Sequence, residues 1–89
     1  MVSRGKYQIY LHKDAEKTLL KFPKDKINKI SSIIDRLSEN PILGVKMHGR
    51  LSHLRKIKVG DYRIIYKVLE DRLIIEIIEI ASRGNIFYD

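Results

Sequence analysis

The stretch RKIKVGDYRIIYK, Arg55–Lys67, decides the fold because two runs of β-forming residues meet in it at a tight turn. Gly60 and Asp61 separate the runs, and glycine readily adopts the positive φ that two-residue hairpin turns require. The runs extend to Leu54–Val59 on one side and to Tyr62–Leu69 on the other. The sequence therefore predicts a β-hairpin with a defined register.

This register gives the hairpin one apolar face and one basic face. Residues directly opposite each other share a face, so Ile57 lies beside Ile64 and Lys58 lies beside Arg63. Two like charges in direct opposition repel, and an anion between them would relieve the repulsion. The apolar face, which we expect to pack under helices, comprises Ile57, Val59, Tyr62, Ile64, Tyr66 and Val68. The basic face comprises Lys56, Lys58, Arg63, Ile65 and Lys67.

Upstream of the hairpin, the sequence predicts one strand and two helices. The alternation in Lys6–Leu11 is typical of a short strand. Asp14 is a good helix N-cap, and the helix that follows it ends at Pro23. A second helix begins near Lys24, carries one continuous apolar stripe and ends before Pro41, because the residue before a proline resists helical geometry. The short connection between them predicts an antiparallel helical hairpin.

Downstream of the hairpin, the sequence predicts a third strand of the same meander, Arg72–Ile80. Glu76 and Glu79 differ in parity along it, which a β-bulge, or an edge of the strand leaving the core, would explain. The element order β-α-α-β-β-β predicts a small α+β domain with the helical hairpin packed on one face of an antiparallel sheet. Eighty-nine residues supply one hydrophobic core, so we expect a single domain spanning residues 1–89.

The composition limits the class of protein. At 44% hydrophobic and 33% charged residues it is typical of a folded domain, and no apolar run approaches the length of a membrane span. The absence of cysteine excludes disulfides, thiolate zinc sites and a cysteine nucleophile, and it fits a cytoplasmic protein. No histidines and carboxylates stand at metal-ligand spacing, so we expect no metal and no cofactor. The net charge of +7 indicates a polyanionic partner such as nucleic acid, or an acidic protein.

The positive charge is concentrated between Lys46 and Arg63, where only Asp61 opposes it. A solvated surface would account for such a run, and so would a phosphate-binding site, since arginine offers a fork of donors and lysine a compact charge. Catalysis is a third interpretation, because metal-free cleavage of RNA requires a base for the 2′-hydroxyl, positive charge for the phosphorane and an acid or its equivalent for the leaving 5′-oxygen. The cations of the run are Lys46, Arg50, Arg55, Lys56, Lys58 and Arg63. His48 and His53, whose roles the sequence leaves open, are interleaved with them.

Two segments carry a resemblance to a known family: LRKIKVGDYRIIYKV, residues 54–68, and IASRGNIFY, residues 80–88. In these segments and in its element order, the chain resembles the RelE/ParE superfamily of toxins from type II toxin–antitoxin systems, over essentially its whole length. For the RelE branch, the resemblance implies a toxin that enters the ribosomal A site and cleaves mRNA there without a metal. For the ParE branch, it implies a toxin that inhibits DNA gyrase.

The RelE-like pattern implies a catalytic role for each of four basic residues. Lys58 would be the general base, and Lys56 and Arg63 would stabilise the transition state. Arg83 would act as the acid or stabilise the leaving group. The resemblance thus implies a metal-independent endoribonuclease that uses the 2′-hydroxyl as its nucleophile.

The resemblance also implies substrate-binding residues. A C-terminal aromatic is expected to stack on the substrate, and its usual spacing from Arg83 falls here on Phe87, with Tyr88 one step later, so either residue could serve. The sequence departs from the family pattern where Ser82 replaces a common histidine and Arg55 a common aromatic. The implied substrate-binding set is Lys46, Arg50, Arg55, Phe87 and Tyr88.

The partners implied by the resemblance are a cognate RelB-like antitoxin, the ribosome and mRNA, and a heterotetramer with the antitoxin is one implied assembly. Ile65, expected to be exposed among the charges of the basic face, suits burial by an acidic, apolar peptide segment. Two other interpretations stay open. One is a ParE-like, gyrase-inhibiting toxin, and the other is a non-catalytic or degenerate toxin that binds only its antitoxin.

Overall fold

A computed structural model describes residues 6–82 as two α-helices packed on one face of a five-stranded sheet, which confirms the predicted α+β class. The strands are β1 (Gln8–Leu11), β2 (Val45–Lys46), β3 (Arg55–Val59), β4 (Tyr62–Leu69) and β5 (Ile74–Ser82). The helices are α1 (Lys13–Leu20) and α2 (Lys24–Glu39), and a 3₁₀ turn spans Gly49–Leu51. Within the described residues, neither helix is long and apolar enough to cross a membrane.

The sheet is mixed, with the strand order β1-β5-β4-β3-β2. β3, β4 and β5 form the predicted antiparallel meander, but β1 pairs in parallel with β5, so the prediction of a wholly antiparallel sheet is wrong. The alternation of apolar and polar residues identifies a strand but not the strand that it pairs with. Because two helices follow β1, this strand can lie parallel to β5, which is distant in sequence. β2 falls in a segment predicted as a loop, because two residues are too few to show a periodicity.

The helices begin and end close to the predicted positions. The N-cap of α1 is His12 rather than the predicted Asp14, which instead lies in the first turn, where the helix dipole favours a carboxylate. α2 begins directly after Pro23 and ends before Pro41, as predicted. The α2 stripe therefore faces the sheet along its whole length, and buried residues occur from its second turn to its last.

The main hydrophobic core lies between the helices and the apolar face of the sheet. Ile64 and Tyr66 of β4 are fully buried in it, as the hairpin register predicted. Burial of each aliphatic side chain contributes about 1.5–3 kcal/mol to the free energy of unfolding. The buried residues of this core are Ala15, Leu19, Ile30, Ile34, Leu37, Val59, Ile64, Tyr66, Ile75, Ile77 and Ile80.

A second, smaller apolar cluster lies on the basic face, away from the helices. Ile65 is buried there with Met47 and Leu54, and Leu51 and Ile78 pack against them. The prediction that Ile65 is exposed is therefore wrong, since its side chain is only 8% exposed. The segment before β3 folds back over this face, and such a tertiary contact leaves no periodic signal in the sequence.

β5 contains a bulge, the first of the two explanations given for the different parity of Glu76 and Glu79. Ile65 of β4 pairs with Glu79, whereas the next residue, Tyr66, pairs with Ile77, so Ile78 is an extra residue on β5. Directly paired residues share a face, and the bulge therefore places Glu79 on the basic face beside Ile65.

Candidate nucleic-acid interface

The hairpin of β3 and β4 brings three of the predicted catalytic cations onto one face. Lys58 pairs with Arg63 and Lys56 pairs with Ile65, which confirms the predicted register. Lys58 is exposed, and Lys56 and Arg63 are half-buried. Because the backbone beneath them belongs to a hydrogen-bonded sheet, these three cations are held on a rigid platform suited to a phosphate.

The segment between β2 and β3 adds further positive charge at this platform. Its 3₁₀ turn carries Arg50, which is exposed. Lys46, at the end of β2, is also exposed, but it pairs with Arg55 and so has the parity of the apolar face; its assignment to the substrate stays a prediction. Met47 donates its backbone N–H to the Leu54 carbonyl at 3.0 Å, and both residues belong to the second apolar cluster. The cluster therefore anchors the segment against the sheet. His48 and His53 are exposed on the same segment, and no role is assigned to them.

Arg55, like Lys46, differs from the three predicted catalytic cations of the hairpin, because it pairs with Tyr66 and so has the parity of the apolar face. Its Nη1 donates a hydrogen bond to the Gly44 carbonyl at 2.8 Å. The guanidinium thus supports the loop after α2 rather than lying beside Lys56. Its assignment to the substrate stays a prediction, one that this geometry does not favour.

Tyr66 has a structural role that the sequence did not reveal, in addition to its predicted place in the core. Its hydroxyl accepts a hydrogen bond from the Gly44 N–H and donates one to the Pro41 carbonyl, both at 2.8 Å. Burial raises the pKa of the Tyr66 hydroxyl above its ordinary value, and the Gly44 N–H and the Arg55 guanidinium oppose that rise less strongly. The phenol is therefore neutral at physiological pH, and it fixes the loop rather than handling protons.

Gly44 permits this close approach. A Cβ at this position would lie 2.6 Å from the Lys56 carbonyl oxygen and 2.8 Å from the Tyr66 hydroxyl. Neither group can move easily, since one is sheet backbone and the other is fully buried. The glycine therefore holds the loop against the edge of β3, from which Lys56 and Lys58 extend.

The basic face continues onto β5 with two carboxylates. Glu76 pairs with Lys67, and its Oε2 lies 3.8 Å from Nε2 of His12. Glu79 pairs with Ile65, and burial raises the pKa of its carboxyl group above the ordinary value. Cations thus occupy β3 and β4, and acids occupy β5. The sequence assigns no role to these glutamates, although their different parity along β5 indicated the bulge that brings both onto this face.

The remaining predicted site residues, Arg83, Phe87 and Tyr88, lie outside the described residues, so their roles stay predictions. Between residues 6 and 82, no group of three or more histidine or acidic side chains is arranged to hold a metal ion.

The chain is a toxin of a type II toxin–antitoxin system, as comparison with known proteins shows. Residues 9–87 match the model of the ParE toxin family, described as the ParE toxin of the type II system parDE, and the chain belongs to that family. A Methanocaldococcus jannaschii protein named as a candidate toxin, RelE1, is 29% identical over 86 residues, which cover 92% of this chain and 96% of that protein. The predicted membership of the RelE/ParE superfamily is confirmed.

Solved structures of RelE toxins share the fold. The archaeal RelE–RelB complex from Pyrococcus horikoshii is similar at 27% identity and a TM-score of 0.74, over 91% of this chain and 99% of that one. The toxin–antitoxin complex RelBE2 from Mycobacterium tuberculosis is similar at 20% identity and a TM-score of 0.81, over 88% of this chain and 99% of that one. Isolated Escherichia coli RelE is similar at 17% identity and a TM-score of 0.77, over 90% of this chain and 87% of that one. The likeness to the last two shows the fold alone.

Proposed function

We propose that this toxin is a ribosome-dependent, metal-independent mRNA endonuclease that inhibits translation by cleaving mRNA in the ribosomal A site. The observation that carries the proposal is the placement of Lys56, Lys58 and Arg63 on one face of a rigid hairpin. A gyrase-binding protein would not require three cations on this face, whereas cations there would stabilise the negative charge of a pentavalent phosphorane.

The proposed reaction is transfer of the phosphodiester to the 2′-oxygen. Lys58 removes the proton of the 2′-hydroxyl, and Lys56 and Arg63 stabilise the charge that develops on the phosphorane. Arg83 acts at the leaving 5′-oxygen, as acid or as stabiliser of its charge. Lys46 and Arg50 bind flanking phosphates, and Phe87 or Tyr88 stacks on a base.

The proposed partners are a RelB-like antitoxin, the ribosome and mRNA, all in the cytoplasm. Two of the similar structures are named as complexes of a RelE toxin with its antitoxin. A net charge of +7 favours an acidic antitoxin segment, since it would neutralise the same cations that bind RNA. A heterotetramer with the antitoxin is one proposed assembly.

The test is expression of the wild-type chain beside Lys58→Ala and Arg83→Ala, with growth and mRNA integrity as the measurements. The wild type should arrest growth and cleave mRNA within codons, and each variant should lose cleavage by about 10²-fold or more. Lys17→Ala, an exposed position on α1, is the matched control and should behave as the wild type. If both active-site variants stay as toxic as the wild type, the nuclease assignment is wrong.

A ParE-like inhibition of gyrase is the second candidate function, and the description of the matching family favours it. In that case intact mRNA, induction of the SOS response and stalled gyrase would accompany toxicity. A chain that is harmless when expressed alone and binds only an antitoxin would indicate a non-catalytic toxin.

A further inference from the structure

The proposed reaction lacks a well-suited acid for the leaving 5′-oxygen. A guanidinium does not give up its proton under ordinary conditions, so Arg83 can stabilise a developing charge but is poorly suited to supplying a proton. Lys58 and Lys56 are assigned to the base and to the phosphorane, and Lys67, the third lysine of the hairpin, lies further along β4, paired with Glu76. A further proton donor on the same face would complete the set.

The bulge in β5 supplies a group in the required place. If β5 alternated regularly, Glu79 would have the parity of Ile77 and would point toward the main core. The extra residue, Ile78, reverses that parity and places Glu79 on the basic face, paired with Ile65. Bulges commonly redirect a side chain in this way beside functional sites.

Across the basic face, the proposed base, a cation and a carboxyl group therefore lie on three neighbouring strands, β3, β4 and β5. Lys58 lies on β3, Arg63 opposes it on β4, and Glu79 lies on β5 at the position diagonal to Arg63. Neighbouring strands are about 4.8 Å apart, so β3 and β5 are separated by roughly 10 Å. A phosphorus held above Arg63 would have the base on one side and the carboxyl group on the other. In-line displacement requires this arrangement, because the attacking and leaving oxygens lie on opposite sides of the phosphorus.

The surroundings of Glu79 shift its carboxyl group in the direction that suits an acid. Burial raises its pKa, as expected for a carboxyl group that works as an acid. Glu79 lines a cleft of about 500 Å³ between α1 and the end of β5, together with Asp14 and Lys21. The other charged groups around it are Arg63 and Lys67 at diagonal positions on β4, and Glu76 on its own strand.

We propose that Glu79 is the general acid that protonates the leaving 5′-oxygen of the scissile phosphodiester. This role rests on the proposed function. Lys58 takes the proton of the 2′-hydroxyl as the bond from the 2′-oxygen to phosphorus forms, and the bond from phosphorus to the 5′-oxygen breaks as that oxygen takes the proton of Glu79. The products are a 2′,3′-cyclic phosphate and a free 5′-hydroxyl, and both side chains regain their starting states by exchange with water. Arg83 keeps the role of charge stabiliser.

The first experiment compares wild type, Glu79→Gln and Glu76→Gln in cleavage of mRNA on programmed ribosomes between about pH 6 and pH 8.5. Glu79→Gln should lower kcat by about 10²-fold at the acidic end with little change in KM. The deficit should shrink as pH rises, since the wild-type carboxyl group then loses the proton that it donates. Glu76→Gln lies on the same strand and the same face, and it should retain wild-type kcat and pH profile.

The second experiment replaces the leaving oxygen by sulfur in a 5′-bridging phosphorothiolate at the cleaved position. A thiolate leaves without protonation, because a thiol has a pKa far below that of an alcohol. Glu79→Gln should then cleave at the wild-type rate, whereas Lys58→Ala should remain slow. Recovery on this substrate also shows that the variant is folded.

The outcomes separate this role from the function on which it rests. A wild-type chain that does not cleave mRNA on the ribosome overturns the proposed function and this role with it. A wild type that cleaves, with Glu79→Gln equally fast or unrescued by the sulfur substrate, overturns the role of Glu79 alone.

Discussion

At the scale of single residues, the alternation of side chains along each strand predicted most of the residue positions in the candidate site. The turn at Gly60 was enough to place Lys56, Lys58 and Arg63 on one face, and the structure has that register. The same parity places Arg55 on the opposite face, so its inclusion among substrate-binding residues came from its position in a basic run and the resemblance rather than from geometry. Glu79 could not be placed from the sequence, because the position of a bulge decides its face.

The burial of Glu79 predicts a pH-dependent cost to stability. Its pKa is raised above 4.5 in the folded protein, so the unfolded chain gives up this proton more readily and the free energy of unfolding falls as pH rises through that range. Glu79→Gln removes this loss. Urea unfolding should show that the variant gains stability relative to the wild type on going from about pH 3.5 to about pH 7. A difference that stays constant with pH would contradict the prediction.

At the scale of elements, the structure of the segment between α2 and β3 could not be predicted from local sequence patterns. Sequence periodicity found both helices and the three strands of the meander, but β2 and the two anchors of this loop depend on contacts distant in sequence. One anchor is the hydroxyl of Tyr66, which bonds Gly44 and Pro41. The other is the cluster that buries Ile65. Both anchors hold the segment that carries Lys46 and Arg50, the two cations proposed to bind flanking phosphates.

Tyr66→Phe tests the first anchor. The change leaves the Gly44 N–H and the Pro41 carbonyl without their partner, which should lower the free energy of unfolding by about 1–3 kcal/mol. Denaturant unfolding measures the loss, and Tyr62→Phe, on the same face of the same strand, is the matched control with an expected loss below about 1 kcal/mol. Equal losses in the two variants would show that the hydroxyl of Tyr66 has no special role.

At the scale of the whole molecule, the sheet separates two functions. Its apolar face is covered by the helices and supplies the stability, while the basic face carries the charge. The sequence predicted this division, because alternation in the hairpin assigns each residue to one side. It did not predict the position of β1, since a parallel neighbour distant in sequence leaves no local trace.

The division predicts which cations bind RNA. Arg50→Ala should lower the affinity for single-stranded RNA and reduce the slope of log affinity against log salt concentration by about 0.7, the value for one phosphate contact. Lys17→Ala on α1 removes the same charge from the other side of the sheet and should leave the slope unchanged. Fluorescence anisotropy with a labelled oligonucleotide, titrated at several salt concentrations, measures both. Equal effects from the two variants would indicate binding to net charge rather than to the basic face.

The extra residue in β5 also has a consequence for comparisons among relatives. A toxin without Ile78 would keep every other strand pair, because Ile77 and Glu79 already face consecutive residues of β4. Relatives that lack the bulge should therefore show a one-residue gap at this position. An alignment that counts along the strand without opening that gap would pair core residues with basic-face residues from there to the end of β5, and it would compare Glu79 with the wrong column.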